Sequence, residues 1–160
     1  RDEPSTLVHE VSDEQWRYGI DSNLTIAFMV TRAVLPGMME RNYGRIINIS
    51  SVTGPSVGIA GSSVYSAAKA GMLGMTRSLA IESGPNNVTV NCIGPGWIET
   101  ASSGDSEIEA GKFTPIGRSG TPEEVGNVAV FLASEEASYV TGQLLIVDGG
   151  NTIQEYKVAF

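Results

Sequence analysis

The sequence has few of the residues that build metal and disulfide sites. Its 160 residues include one cysteine, Cys92, and one histidine, His9. A single cysteine excludes an internal disulfide, and one histidine with one cysteine cannot form a zinc site of the usual nitrogen and sulfur type. We therefore predict no metal. Cys92 lies in an apolar run, which favours a buried structural thiol.

Long apolar runs and an excess of positive charge are also missing. No run approaches the ~20 apolar residues that a bilayer-spanning helix needs. Hydrophobic residues make up 41% and charged residues 18%, and the formal net charge is −8. This composition excludes a disordered chain, and the acidic balance disfavours nucleic acid and anionic membranes as partners. Plain solubility explains the charge most simply.

Hydrophobic periodicity predicts alternating helices and strands. Capping-box patterns at Ser12–Gln15 and Thr121–Glu124 mark the start of two helices. The pattern predicts helices over 13–42, 63–83 and 122–134, strands over 45–50, 88–93 and 143–147, and a mobile surface segment over 101–112. This order is typical of an α/β protein with a parallel sheet covered by helices. Three strands are few for that architecture, so we expect the C-terminal part of a larger domain.

Two residues one helical turn apart carry the chemistry that we predict. Tyr65 and Lys69 begin the helix over 63–83, and their four-residue spacing places them on the same face. A phenol with a pKa of ~10 is a poor acid or base at neutral pH, but a neighbouring ammonium and a helix N-terminus both favour the phenolate. Such a tyrosine can exchange a proton with a substrate oxygen. The spacing also occurs by chance, so its context decides.

Serine and asparagine residues supply part of that context. Ser50 and Ser51 close the first strand, at the carboxyl edge where parallel sheets build their sites, and either hydroxyl could bind a carbonyl oxygen. Asn23 interrupts an apolar helical stretch, where asparagine is a poor helix former, and could hold a water near Lys69. A turn serine and a locally bonded asparagine are the simpler explanations of each residue alone.

The segment after the second strand supplies the rest. Pro95-Gly96 forms a rigid turn that allows close backbone approach, and Thr100 follows with a hydroxyl. A wall for a flat ring such as nicotinamide is one interpretation. A tight strand-to-loop connection is the other.

Together these segments resemble the short-chain dehydrogenase/reductase family. The matching stretches occur in the family's order: Asp21-Ser-Asn-Leu24, Gly44-Arg-Ile-Ile-Asn-Ile-Ser-Ser51, Tyr65-Ser-Ala-Ala-Lys69-Ala-Gly71, Asn91-Cys-Ile-Gly-Pro-Gly96 with Ile98-Glu-Thr100, and Gly142-Gln-Leu-Leu-Ile-Val-Asp-Gly-Gly150. A lone Tyr-x-x-x-Lys is weak evidence, whereas five segments in order are strong. The resemblance implies the C-terminal part of a Rossmann-like, doubly wound parallel sheet with helices on both faces.

The resemblance also implies a role for each position. Tyr65 is the expected general acid/base, Lys69 tunes it and binds the cofactor's ribose, and Asn23 holds a proton-relay water. Ser51 is expected to orient the substrate oxygen, and it matches the family better than Ser50 because Val-x-Gly follows it. The expected cofactor contacts are Tyr65, Lys69, Pro95, Gly96, Ile98 and Thr100.

The implied activity is hydride transfer between NAD(P)(H) and a ketone or secondary alcohol. The stretch from Pro115 to Glu124 resembles the 3-oxoacyl-acyl-carrier-protein reductase group of fatty acid biosynthesis. That group implies a small or acyl-carrier-bound carbonyl substrate, a cytoplasmic location and NADP slightly ahead of NAD. The helices over 13–42 and 63–83 resemble the family's dimer-forming pair, which implies a homodimer or tetramer.

The sequence departs from the family in two places. It contains no Gly-x-x-x-Gly-x-Gly turn after a strand, so we expect residues 1–160 to form a single partial domain without the phosphate-binding part. The alternative function is therefore an inactive fragment or structural partner that cannot bind the cofactor alone. The segment over 101–114 is shorter than usual for the reductase group, which leaves acyl-chain recognition open.

Overall fold

Three apolar runs of the sequence form one parallel sheet. The structure is a computed structural model that describes residues 6–155. The strands are β1 (Gly44–Ile49), β2 (Val88–Pro95) and β3 (Leu144–Val147), and the α-helices within the described range are α1 (Asp13–Ile20), α2 (Ile26–Glu40), α3 (Ser63–Ser83), α4 (Asp105–Gly111) and α5 (Pro122–Ala133). The sheet order is β1-β2-β3, and both pairings are parallel.

Helices cover both faces of this sheet because neighbouring strand residues point in opposite directions. Ile46 of β1 packs with α2 and α3, whereas the next residue, Ile47, packs with α5. Cys92 and Ile93 of β2 divide in the same way between α3 and α5. The α/β, doubly wound arrangement predicted from the sequence is confirmed. Cys92 is fully buried as predicted, and burial raises the pKa of its thiol.

The helix predicted over 13–42 is interrupted by one irregular turn. The Ser12 capping box begins α1, and a π-helical turn at Asp21–Thr25 joins it to α2. The following helix continues past Pro36 to Glu40, two residues before the predicted end. Asn42, with φ of +50°, then allows the chain to enter β1.

The surface segment predicted over 101–112 contains a helix that the sequence analysis did not predict, because residues Asp105–Gly111 form α4. This helix has no long apolar face by which periodicity could reveal it. Glu107 caps the N-terminus of this helix, because its side chain accepts a hydrogen bond of 3.2 Å from the Gly104 main-chain nitrogen.

Among the described residues, the two outer strands, β1 and β3, each pair only with β2. An apolar groove of about 320 Å³ lies between β1 and α2. Ile26, Val30 and Ile46 are among its lining residues. Within residues 6–155, no helix combines the length and apolar character needed to cross a membrane.

Candidate active site

Tyr65 and Lys69 lie on the first two turns of α3, beside the carboxyl end of β1. The Lys69 Nζ lies 5.5 Å from the centroid of the Tyr65 ring. It also donates a hydrogen bond of 2.9 Å to the main-chain oxygen of Ile49, the last residue of β1. The ammonium is therefore held between the tyrosine ring and the strand end, where it can stabilise negative charge on the phenol oxygen.

Ser50 fixes the other end of Lys69. Its Oγ donates a hydrogen bond of 3.0 Å to the main-chain oxygen of Lys69, and its main-chain nitrogen donates one of 2.8 Å to Ile93 in β2. Only 3% of Ser50 is exposed. Two hydrogen bonds therefore join the end of β1 to α3. The Ser50 side chain donates to the main chain of α3, and the Lys69 side chain donates to the main chain of β1. The sequence analysis considered Ser50 as an alternative to Ser51 for binding a substrate oxygen and did not predict its bond to Lys69.

Ser51 is oriented by the turn that follows β1. Its Oγ accepts a hydrogen bond of 3.1 Å from the main-chain nitrogen of Thr53, which leaves the hydroxyl hydrogen to donate elsewhere. The turn requires Gly54, because its φ is +102° and a Cβ there would collide with the main-chain oxygen of Ser66. The turn therefore packs closely against α3 at Ser66, one residue after Tyr65.

Asn23 lies in the π-helical turn. Its Nδ2 donates a hydrogen bond of 3.0 Å to the main-chain oxygen of Gly19. Close contacts between Gly19 and Val64, and between Leu24 and Gly71, pack this part of the chain against α3 on both sides of Lys69. Single π-helical turns within α-helices are frequent at functional sites. The expected water at Asn23 stays a prediction.

Pro95 and Gly96 join the ends of all three strands. The Pro95 oxygen accepts a hydrogen bond of 3.1 Å from Val52, and the Gly96 nitrogen donates one of 2.9 Å to Val147. A Cβ on Gly96 would lie 2.6 Å from the Cβ of Asp148. Position 96 therefore requires glycine so that the end of β2 can lie against the end of β3.

Ile98 and Thr100 lie in a loop that is held by its own hydroxyls. The Thr100 Oγ1 lies 3.1 Å from the Oγ atoms of Ser102 and Ser103. The Ser103 Oγ donates a hydrogen bond of 3.1 Å to the Ile98 oxygen and accepts one of 2.9 Å from the Thr100 nitrogen. The hydrogen bonds of Thr100 stay within this loop and do not join it to Tyr65 or Lys69.

The stretch from Pro115 to Glu124 supports that loop from outside. Gly120 forms main-chain hydrogen bonds of 2.9 Å with Trp97 and Glu99. Arg118 donates two hydrogen bonds, of 2.9 and 2.7 Å, to the carboxylate of Glu124. These bonds, with one from the Thr121 nitrogen, lower the pKa of Glu124 to about 2. The motif that resembles the reductase group therefore positions the loop after β2.

Comparison with known proteins decides the family. A family model described as enoyl-(acyl carrier protein) reductase matches residues 3–152. The 3-oxoacyl-[acyl-carrier-protein] reductase FabG of Vibrio harveyi is 45% identical over 148 residues, which are 90% of this chain and 60% of that protein. The chain belongs to the short-chain dehydrogenase/reductase family. Its Escherichia coli K12 relative of the same name is 43% identical over equal shares.

Solved structures of short-chain dehydrogenase/reductases share the fold. A 3-oxoacyl-[acyl-carrier protein] reductase from Brucella melitensis with bound NAD is 40% identical, with a TM-score of 0.84. The matched region covers 94% of this chain and 57% of the Brucella chain. Acetoin dehydrogenase YohF from Salmonella typhimurium is 34% identical with the same TM-score, covering 96% and 62%. The chain thus spans about 60% of the length of the curated relatives that it matches.

The residues present fit the nicotinamide and ribose end of the family's cofactor. An ammonium at Lys69 stands beside a phenol at Tyr65, and the glycine at Gly96 leaves the end of β2 without a side chain. A glycine-rich turn for the pyrophosphate does not occur in the sequence.

The structure brings together some predicted residues and adds others. Ser51, Tyr65, Lys69, Pro95 and Gly96 are connected through the strand ends and α3, Asn23 reaches them by packing, and Ile98 and Thr100 stand apart in their loop. Sequence reasoning missed Trp97, Gly120 and the support that Ser50 gives to Lys69. For Gly120, the only available signal was its place in the reductase-like stretch.

Proposed function

We propose that the whole protein that contains this chain transfers a hydride between NAD(P)(H) and a ketone or secondary alcohol. The observation that carries this proposal is that the Lys69 ammonium lies over the Tyr65 ring and is hydrogen-bonded to Ile49 at the end of β1, two residues before Ser51. The proposed natural substrates are 3-oxoacyl groups on acyl carrier protein, because the relatives from Vibrio harveyi and Escherichia coli are named as reductases of these groups.

The side chains divide the protein's part of the reaction between them. The nicotinamide cofactor, when bound, supplies or accepts the hydride. The Ser51 hydroxyl, whose acceptor side is used by Thr53, donates to the substrate oxygen and orients it. In the reducing direction the Tyr65 phenol gives that oxygen its proton, and the Lys69 ammonium stabilises the phenolate that remains. Asn23 is proposed to hold the water that returns a proton.

The finer assignments depend on the family resemblance. NADP is proposed ahead of NAD from the reductase-group resemblance, although one structural neighbour contains NAD. We also propose a homo-oligomer, because Trp16, Phe28, Met29 and Val30 leave an exposed apolar surface along α1 and α2. A cytoplasmic location remains a prediction from the same resemblance.

Replacing Tyr65 tests the proposed mechanism. In the whole protein, Tyr65→Phe should lower kcat/KM for a 3-oxoacyl thioester by roughly 10²–10⁴-fold, because the proton donor is lost. Steady-state assays with NADH and NADPH, and with acetoin as a second substrate, measure this effect. Tyr139→Phe alters a fully exposed tyrosine and serves as the control. Full activity of Tyr65→Phe would show that the mechanism is wrong.

We propose further that the 160-residue chain alone does not bind the cofactor tightly. The open edge of β1 and the missing glycine-rich turn support this. Titrating the isolated chain with NADH while following nucleotide fluorescence should show no saturation at micromolar concentrations. Saturation in that range would overturn the proposal and establish the chain as a complete cofactor-binding unit.

A further inference from the structure

A small cavity lies beside Ser51, on the side of the turn away from β1. Its volume is about 60 Å³. The lining residues that matter here are Ser51, Val57, Ile59, Gly96, Trp97 and Asn151. The cavity is thus formed where the turn after β1, the end of β2 and the residues after β3 meet. A group next to a carbonyl held by Ser51 would enter it.

The volume limits what can enter. An apolar cavity of about 150 Å³ holds benzene, so a cavity of 60 Å³ takes roughly two or three non-hydrogen atoms. Such a space accepts a methyl or ethyl group. The hydrocarbon tail of a medium-length acyl chain would have to extend beyond it.

The chemistry of the walls points in the same direction. Val57, Ile59 and Trp97 supply apolar surface, and the described lining carries no charged side chain. Asn151 is only 4% exposed, and its Oδ1 accepts a hydrogen bond of 3.5 Å from the Gln154 Nε2. A longer alkyl group pressed against Asn151 would exclude water from its side-chain amide, which is unfavourable. A small substituent leaves room for a water beside the amide.

We infer that this cavity receives the smaller substituent of the substrate carbonyl and limits it to a methyl or ethyl group. Trp97 and Ile59 are then the residues that set substrate size. The inference depends on the proposed function, and it identifies the substrate class as 3-oxobutanoyl or 3-oxopentanoyl thioesters and short ketones, in preference to medium-chain 3-oxoacyl thioesters.

Enlarging the cavity tests the inference. In the whole protein, kcat/KM is measured for N-acetylcysteamine thioesters of 3-oxobutanoate and 3-oxooctanoate. Wild type should prefer the shorter substrate. Trp97→Ala should raise the ratio of long to short substrate by roughly tenfold or more, since a single methylene in an apolar pocket already changes specificity by that factor. Tyr139→Ala, which alters a fully exposed aromatic side chain, is the control.

A second variant guards against misfolding of the first. Ile59 is 45% exposed, so Ile59→Ala should fold normally and change the ratio in the same direction, whereas Ile81→Ala on α3 should not. An unchanged ratio in both Trp97→Ala and Ile59→Ala would overturn the inference while leaving the proposed function intact. Absence of turnover in wild type with either thioester and with acetoin would instead count against the proposed function.

Discussion

The two sides of the candidate site are built in different ways. Where β1 meets α3, Lys69 is held by bonds to Ser50 and Ile49 across 19 and 20 residues of sequence, and Ser50 is buried. In the loop after β2, Thr100 and Ser103 bond to residues at most five positions away and are more exposed. The first arrangement is part of the core, whereas the second is local.

The buried side extends further down α3. The Asn48 Nδ2 donates a hydrogen bond of 2.9 Å to the Thr76 Oγ1, which lies 3.2 Å from the Cys92 Sγ. All three side chains are buried and join β1, α3 and β2. Because a buried polar group without its partner is costly, this chain of bonds fixes how α3 lies on the sheet. It therefore fixes where α3 presents Tyr65 and Lys69.

The proposed proton-transfer residues and the proposed nicotinamide-contacting loop should therefore respond differently to amino-acid substitution. Residues at the junction of β1 and α3 should change stability and chemistry together. Residues of the loop should change stability little, because local bonds around an exposed segment are replaced by water, and their effect on activity should come through binding of the cofactor.

Matched serine substitutions give the larger expected effect. Ser50→Ala removes the bond to the Lys69 oxygen and should lower the free energy of unfolding by about 1 kcal/mol. It should also lower kcat more than it raises KM, because Lys69 loses part of its support. Ser103→Ala removes the corresponding hydroxyl from the loop and should change stability by less than about 0.5 kcal/mol. Urea unfolding and steady-state kinetics of the whole protein measure both.

Equal effects of the two serine substitutions would abolish the distinction between the two sides. A pH profile of kcat separates positioning from general destabilisation. If Ser50 positions Lys69, Ser50→Ala should displace the profile along the pH axis, whereas a merely less stable enzyme would keep its shape. An unshifted profile would limit Ser50 to a structural role.

Much of the fold could be predicted because local patterns specify it. The helix over 63–83 was predicted with the bounds that α3 has, and the capping boxes at Ser12 and Thr121 begin α1 and α5. For the π-helical turn at Asn23, the sequence indicated only a disturbed helix. One extra residue in a single turn does not produce a recognisable change in the hydrophobic periodicity. The helix α4 was missed because its residues have no long apolar face.

The candidate site was less predictable, because its remaining parts depend on tertiary contacts. Ser50 and Ser51 are adjacent in sequence, and only the packing of α3 shows that one supports Lys69 while the other faces the turn. The cavity beside Ser51 combines Trp97 with Asn151, which are 54 residues apart and carry no shared motif. No spacing rule could connect those two residues before the sheet was known.

The smallest expected effect concerns the support of the loop by Arg118 and Glu124. The folded pKa of Glu124, about 2, lies below its ordinary value of 4.5, so the stabilisation is fully present above about pH 4.5 and is lost as the pH falls towards 2. In Glu124→Gln the Tm should be slightly lower at pH 7, and the difference from wild type should shrink between pH 4.5 and 2. Glu123→Gln, on the same helical turn, leaves both Arg118 bonds and is the control. A difference that stays constant across this range would mean that the carboxylate does not hold the loop, and the exposed side would then depend on the serine hydroxyls alone.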